Sequence, residues 1–348
     1  MPDTPSRIEP AAATEEPITA QGKPIRRRRG LRVVLLSFAS LIVLLGVVVA
    51  GGYAYVNNAA SSIQRIPVRF TALDTASSAG GMTILLTSKI DTSGSASSSA
   101  ASNSTEAGGL IMLLHINANE KAGGVVSIPP QTEVQVPGHG QLQLWNVLPL
   151  GGPSLLVKTV QSLTGVPINH YARIDFSHAA AMVNALGGVT VTLPQQTKAF
   201  GHEFKAGANQ LNGVTAVDYV RQSSLTEQQR VLRQQSLMRA MLTKLAQQHL
   251  LANPVTAVRV TNSITKALTV DSNFSNSQIE KLATKLGTLG ASASTFITTP
   301  VTTTDGTTTL DNPLASQLWN AMNHDSLAAF AKQHPSTVTP AVVKLLAA

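Results

Sequence analysis

The chain has 348 residues, of which 43% are hydrophobic and 13% charged, with a formal net charge of +8 and no cysteine. This length suffices for one large domain or two small ones with a real hydrophobic core. The lack of cysteine excludes disulfides, cysteine zinc sites and thiol catalysis, and the excess of positive charge favours anionic partners such as lipid headgroups, phosphates or an acidic polymer.

Residues 33–56 form an apolar segment without a charged side chain, and four consecutive arginines, 26–29, precede it. A helix of this length spans the ~30 Å hydrocarbon core of a bilayer, and a basic cluster before the first span stays in the cytoplasm. The sequence predicts a single-pass protein of the cell membrane whose C-terminal domain lies outside, where no nucleic acid is expected as a partner. A cleaved signal peptide is the alternative, although its apolar region has only about 7–15 residues.

Composition divides the chain into a disordered basic cytoplasmic tail, a transmembrane helix, a stalk, an extracytoplasmic domain and a C-terminal tail. Their predicted boundaries are 1–32, 33–56, 57–80, 81–330 and 331–348. Within the domain, residues 92–109 contain seven serines. Such a stretch buries too little apolar surface to order itself, so we expect a flexible insertion between two core strands.

The elements of the domain are predicted from its apolar pattern. Continuous apolar runs indicate buried strands at 82–87, 110–116 and 124–129, as in an α/β layered sheet. Helices are then expected at 151–165, 177–187, 214–221 and about 228–250, and an alternating strand at 189–193. Farther along, residues 255–290 are predicted to be helical and 295–309 extended, and a final helix carries Trp319.

A basic region between Asp218 and Lys244 is the most distinctive local feature. Arg230 and Arg233 are three residues apart, so they share one face near the start of a predicted helix. Helix N-termini favour anions, and guanidinium groups bind phosphate with two parallel hydrogen bonds. These residues, with Arg221, therefore indicate a phosphate or pyrophosphate site. A solvated basic face, or structural ion pairs with acidic neighbours, is the alternative interpretation.

The order of segments resembles the LytR–CpsA–Psr family over roughly residues 82–330. The segments that carry the resemblance are ILLT, LIMLLHIN, VVSIPPQTEVQVPGHG, GGPSLLVKTVQSLTGVPINHYARIDF, MVNALGGVTVTLP, AGANQLNGVTAVDYVRQ and EQQRVLRQQSLMRAML. The most specific parts are residues 151–176 and 219–235.

The resemblance implies a fold, an activity and partners. Members are envelope enzymes that transfer a glycopolymer from a polyprenyl-pyrophosphate carrier to peptidoglycan through a phosphodiester. Their fold is a three-layer α/β/α sandwich with a central mixed sheet and an apolar tunnel for the polyprenyl chain. Arginines hold the pyrophosphate, and aspartates hold a magnesium ion. We therefore expect a lipid carrier, a cell-wall glycopolymer and peptidoglycan as partners.

Several site positions implied by the resemblance are changed in this chain. Pro130 and Gln131 stand where the family has Arg and Asp, and Ser223 stands where it has a second Arg. Asp91 is the one residue that could replace the Asp after the first strand, so it is the candidate for a catalytic role, and no residue is assigned one. The residues expected to bind phosphate are Arg221, Arg230 and Arg233, with Gln131, Asn146 and Glu227 as accessory residues.

The family implies Mg²⁺ as cofactor, but the lost carboxylates argue against it here, and no residue is assigned to a metal. The main hypothesis is a binder of lipid-linked glycopolymer with reduced or absent phosphotransferase activity. The alternative is an active transferase with rewired metal ligands chosen from Asp91, Glu106 and Glu120. A third possibility is a structural envelope protein that has lost ligand binding.

Overall fold

The computed structural model describes residues 61–70, 81–89, 110–222, 227–247, 254–289 and 294–338. The predicted transmembrane segment 33–56 and the predicted insertion 92–109 lie outside the described residues. Within those ranges, no helix combines the length and apolarity needed to cross a bilayer.

The described ranges contain fifteen strands and eight α-helices. The strands are β1 Gln64–Ile66, β2 Met82–Lys89, β3 Ile111–Ile116, β4 Gly123–Ser127, β5 Glu133–Val136, β6 Gly140–Gln143, β7 His170–Asp175, β8 Val189–Leu193, β9 Thr197–Ala199, β10 His202–Phe204, β11 Gly207–Leu211, β12 Leu268–Asp271, β13 Ser294–Thr298, β14 Val301–Thr304 and β15 Thr307–Leu310. The helices are α1 Val147–Thr164, α2 Phe176–Ala185, α3 Gly213–Arg221, α4 Glu227–Gln247, α5 Pro254–Ala267, α6 Asn276–Leu289, α7 Asn312–Asn323 and α8 Leu327–Gln333.

Seven of these strands form one mixed sheet in the order β1-β12-β7-β2-β3-β4-β13. β2 is parallel to β7 and antiparallel to β3, while β4 is antiparallel to β3 and parallel to β13. β12 is antiparallel to β7 and parallel to β1. Consequently four strands end at the same side of the sheet, namely β2, β4, β7 and β13, and the other three, β1, β3 and β12, begin there. We call this side the carboxyl end of the sheet.

Both faces of the sheet are covered. Leu85, Leu113 and Tyr171 pack on one face in a core shared with α1, α7 and α8. Ile84 and Met112 pack on the other face in a core shared with α4 and α6. Burial on both faces explains why these strands are almost continuously apolar, and the predicted mixed α/β fold with a central sheet is confirmed.

A second group of elements, which we call the capping module, consists of residues 176–221, α5 and the first half of α4. Its separate core includes Val191, Phe204, Tyr219, Leu237 and Val260. Helix α2 leaves the end of β7 and α5 leads into the start of β12, and these two helices pack mainly against each other and α3. The module therefore extends beyond the carboxyl end of the sheet.

The structure differs from the predicted elements in three places. The predicted helical region 255–290 is interrupted by β12, whose Thr269 and Val270 are buried between β1 and β7. Part of the predicted stalk belongs to the sheet as β1. Helix α1 begins at Val147 rather than at residue 151, because the chain is helical on both sides of a kink at Gly151 and Gly152.

Candidate functional site

The loop that follows β4 lies at the carboxyl end of the sheet. Thr132 N donates to Pro129 O at 3.0 Å, and Trp145 N donates to Pro130 O at 2.9 Å, so the loop is tied to the start of α1. Gln131 is half-buried, and its Oε1 is shielded from solvent without a hydrogen-bond partner in the described part of the chain. Asn146, the residue before α1, is exposed.

Helix α4 is anchored to this end of the sheet through Gln235. The buried Gln235 Nε2 donates to Ser127 Oγ at 2.6 Å and to Ile297 O at 2.9 Å. One turn later, Arg239 Cζ lies 4.4 Å from the centre of the Phe296 ring, and burial lowers the pKa of Arg239. The helix therefore crosses the sheet with its second half and carries its first half into the capping module.

Helix α3 is positioned by its N-terminus. Asn212 Oδ1 accepts from Thr215 N at 3.0 Å and Thr215 Oγ1 accepts from Asn212 N at 2.9 Å, which together form a capping box. A Cβ at Gly213 would come within 2.1 Å of Ala180 O. Glycine at this position therefore permits the close approach of α3 to α2.

Arg233 joins α3 to α4 from within the protein. Its side chain is 0% exposed, and Nη1 donates to Gln222 Oε1 at 2.7 Å and to Tyr219 O at 3.0 Å. Its Cζ lies 4.9 Å from the centre of the Tyr219 ring, and Nε and Nη2 have no hydrogen-bond partner among the described residues. Burial lowers the pKa of Arg233.

The other predicted phosphate ligands are placed only by their backbone. Arg221 is the last residue of α3, and Arg230 lies in the first turn of α4. The side chains of Arg221, Arg230 and Glu227 lie outside what the structure describes, as does Asp91 altogether. The gathering of three guanidinium groups around one ligand therefore stays a prediction, although the backbone brings both helix ends to the same region.

Three residues of the segment 219–235, none of them among the predicted phosphate ligands or accessory residues, organise this region. Gln222 Nε2 donates to Thr197 Oγ1 at 3.0 Å, so Gln222 links the β9–β10 hairpin to Arg233. The remaining two are Tyr219 and Gln235. All three belong to segments that carry the family resemblance, but neither their residue type nor their spacing indicated a structural role.

The described donors at this end of the sheet do not fit a magnesium ion. Mg²⁺ requires octahedral oxygen coordination, normally with one or two carboxylates, whereas the loop after β4 offers the neutral Pro130 and Gln131. Asp175 ends β7, three strand positions or about 14 Å from β4, and lies 3.6 Å from His178. The described ranges contain no group of three or more His, Asp or Glu residues that could hold a metal.

A family model described as the LytR_cpsA_psr family matches residues 50–324. The chain belongs to the LytR–CpsA–Psr family. It is 34% identical over 148 residues to the probable cell wall biosynthesis protein LcpB of Corynebacterium glutamicum, covering 41% of this chain and 36% of that protein. It is 35% identical over 107 residues to the polyisoprenyl-teichoic acid–peptidoglycan teichoic acid transferase TagU of Enterococcus faecalis, covering 30% and 35%. The matches thus span about a third of these relatives.

Solved structures share the fold of this LytR–CpsA–Psr member. The LytR-Csp2A-Psr enzyme from Actinomyces oris aligns with a TM-score of 0.56 and 18% identity, over 79% of this chain and 98% of that structure. A structure described as TagT bound to LI-WTA aligns with a TM-score of 0.55 and 18% identity, over 76% of this chain and 100% of that structure. At this identity the similarity establishes the fold.

Proposed function

We propose that this protein binds polyprenyl-(pyro)phosphate-linked glycopolymer at the junction of α3 and α4, with its phosphotransferase activity reduced or absent. It acts at the outer face of the cell membrane, anchored by residues 33–56, and its partners are the lipid carrier, the glycopolymer and peptidoglycan. The family membership and the relatives named as cell-wall biosynthesis proteins and teichoic acid transferases support this class of ligand.

The buried guanidinium of Arg233 is the observation that carries the proposal. Its hydrogen-bond acceptors are neutral, and no carboxylate pairs with it among the described residues. A buried charge is unfavourable unless an opposite charge compensates it, and a phosphate group bound at the same helix junction would supply that charge. In this proposal Arg221 and Arg230 contact the phosphates, while Arg233 holds the end of α3 and contributes a positive charge that water screens little.

Reduced transfer follows from the charges that the site lacks. Phosphoryl transfer depends on positioning and on stabilising the charge that develops on the phosphate. Pro130 and Ser223 cannot replace guanidinium groups, each of which contributes roughly 1.5–3 kcal/mol as a charged hydrogen-bond donor. The described residues at this end of the sheet supply no carboxylate cluster that would hold a compensating metal ion, and in this proposal the protein binds without efficient turnover.

Binding of geranylgeranyl pyrophosphate to the detergent-solubilised full chain tests the proposal by calorimetry. The double variant Arg221→Ala/Arg230→Ala removes both proposed contacts, and Lys332→Ala on the exposed side of α8 is the matched control. We expect the double variant to bind at least about tenfold more weakly, since one charged hydrogen bond alone is worth that factor. Equal affinity of the double variant and the control would overturn the proposal.

A further inference from the structure

Exposed apolar side chains are concentrated at one end of the domain. In the described part of the chain four large hydrophobic side chains are exposed: Phe200 (60%), Val214 (58%), Val258 (37%) and Leu150 (48%). The first three belong to the capping module. Leu150 lies near the start of α1, which is tied to the loop after β4 at the same end of the sheet.

Phe200 occupies the tip of the β9–β10 hairpin. Ala199 pairs with His202, and the two residues between them, Phe200 and Gly201, have φ of 48° and 79°. Positive φ at both central residues favours Asn or Gly, and a bulky side chain in this conformation is strained. Neither packing nor backbone preference therefore explains a phenylalanine that projects from this turn.

The hairpin lies along one face of α3. His202 Nδ1 is 2.8 Å from Asp218 Oδ2, and Thr197 contacts Gln222 one helical turn later. Val214 is one turn before Asp218 and shares its face of the helix. The hairpin tip is thus directed toward the end of α3 at which Val214 is exposed, so two exposed apolar side chains belong to one side of the module.

The exposed charged side chains of the capping module have an excess of positive charge. Lys198, Lys205 and Arg259 are all exposed. Glu203 lies 3.9 Å from Lys198 and Asp218 lies against His202, so the excess positive charge is carried by Lys205 and Arg259. Apolar side chains surrounded by lysine and arginine are typical of surfaces that lie in the interface of an anionic membrane.

The first described strand begins at the end of the sheet from which the capping module extends. β1 begins with Gln64 at the carboxyl end of the sheet, beyond which the capping module extends. The predicted membrane span ends at Val56, and the eight residue steps from there to Gln64 reach at most about 28 Å when fully extended. If residues 33–56 span the membrane, as the proposed function has it, the start of β1 lies within this distance of the membrane surface.

We propose that the outer surface of the capping module, formed by Phe200, Val214 and Val258 with Lys198, Lys205 and Arg259, lies on the anionic lipid bilayer and inserts Phe200 among the headgroups. Such a contact would hold the α3–α4 junction at the depth from which lipid-linked phosphates protrude. The contact does not depend on binding of the carrier, and it is tested with membranes that contain none.

The cysteine-free sequence allows a direct test with single labels. Phe200→Cys and Val258→Cys carry an environment-sensitive NBD dye, and Lys121→Cys, exposed between β3 and β4 at the opposite end of the sheet, is the control. Each full-length variant is reconstituted in phosphatidylcholine vesicles with phosphatidylglycerol and nitroxide-labelled lipid. We expect blue-shifted emission and nitroxide quenching at residues 200 and 258, and neither at residue 121.

Several outcomes would overturn the proposal. The first is that the dyes at residues 200 and 258 give the same emission and quenching as the dye at residue 121. The second is that their emission is blue-shifted equally in detergent and is not quenched by nitroxide lipid, a result that would indicate contact between protein copies. Equal quenching without phosphatidylglycerol would overturn the role of the basic residues. The Arg221→Ala/Arg230→Ala background should leave the quenching unchanged, so failure of phosphate binding is distinguishable from failure of the membrane contact.

Discussion

Arg233 Nη1 donates a hydrogen bond of 2.7 Å to Gln222 Oε1, which joins the interior of α4 to the residue that follows α3. The amide of Gln222 continues to Thr197 Oγ1 on β9 at 3.0 Å. One chain of hydrogen bonds, buried at Arg233 and partly buried at Thr197, therefore connects the hairpin, the end of α3 and α4. The geometry of the proposed phosphate site depends on this chain, because Arg221 and Arg230 lie at the two helix ends that it holds together.

Removing the guanidinium of Arg233 should destabilise the fold. We expect Arg233→Ala to lower the free energy of unfolding by about 2–6 kcal/mol, because two buried acceptors lose their donor at roughly 1–3 kcal/mol each. Urea unfolding of the detergent-solubilised chain, followed by circular dichroism, measures this. Lys332→Ala, an exposed substitution, should change stability by no more than about 0.5 kcal/mol. Wild-type stability in Arg233→Ala would show that the network contributes little.

The effects of substituting Gln235 and Ser127 on the free energy of unfolding should be coupled, because the two side chains share a hydrogen bond. Gln235→Ala, Ser127→Ala and the double variant form a cycle that isolates this hydrogen bond from the one to Ile297 O. We expect a coupling of about 0.5–1.5 kcal/mol, the range for a neutral hydrogen bond. Urea midpoints and slopes of the four proteins give the value, and strictly additive effects would argue against the contact.

His115 should make stability depend on pH. Burial lowers its pKa, an effect that outweighs the hydrogen bond and charge of Asp325, which act in the opposite direction. The folded state therefore favours the neutral imidazole, whose Nε2 is 2.7 Å from Asp325 Oδ1 and Nδ1 is 2.9 Å from Thr83 Oγ1. The corresponding stability is present above the unfolded pKa of about 6.5 and is lost as the pH falls from there through the lower folded pKa.

The measurement is the free energy of unfolding at several pH values for the wild type and His115→Gln. Below pH ~6.5 the unfolded chain binds a proton that the folded chain does not, so the wild type should lose stability more steeply than the variant. Parallel pH profiles for the two proteins would exclude this role for His115, whatever the offset between them.

Asp91 distinguishes the proposed binder from the alternative transferase with rewired ligands. If turnover is reduced or absent, release of phosphate from a polyprenyl pyrophosphate in the presence of Mg²⁺ should be low in the wild type and unchanged in Asp91→Ala. Vigorous release that depends on Mg²⁺ and disappears in Asp91→Ala would instead support the alternative. Lys332→Ala serves again as the control, since its side chain lies on the exposed surface of α8.

Elements buried on both faces of the sheet could be predicted from the sequence because their signal is local. β2, β3 and β4 are continuous apolar runs, and the alternating strand β8 matches residues 189–193. β12 could not be recognised, because its four residues follow the helix α5 directly and become a strand only by pairing with β1 and β7. The short β9–β10 hairpin could not be recognised for the same reason, since its apolar face is defined by packing in the core of the capping module, including Phe204 on Tyr219.

The site could be predicted only in part for a similar reason. The spacing of Arg230 and Arg233 indicated a shared helix face, but it could not show that Arg233 is directed into the protein toward Tyr219 and Gln222. That direction is determined by how α4 packs against α3, which involves residues 11 and 14 positions apart in the sequence. The neutral loop at Pro130 and Gln131, by contrast, was already evident from residue identity.

The most direct test of the central claim is the magnesium dependence of ligand binding. The affinity of the full chain for geranylgeranyl pyrophosphate is measured by calorimetry in EDTA and in excess Mg²⁺. If the arginines at the α3–α4 junction bind the phosphates without a metal, the two affinities should agree within about twofold, less than 0.5 kcal/mol. Affinity that falls by more than roughly tenfold in EDTA, about 1.4 kcal/mol, would contradict the account.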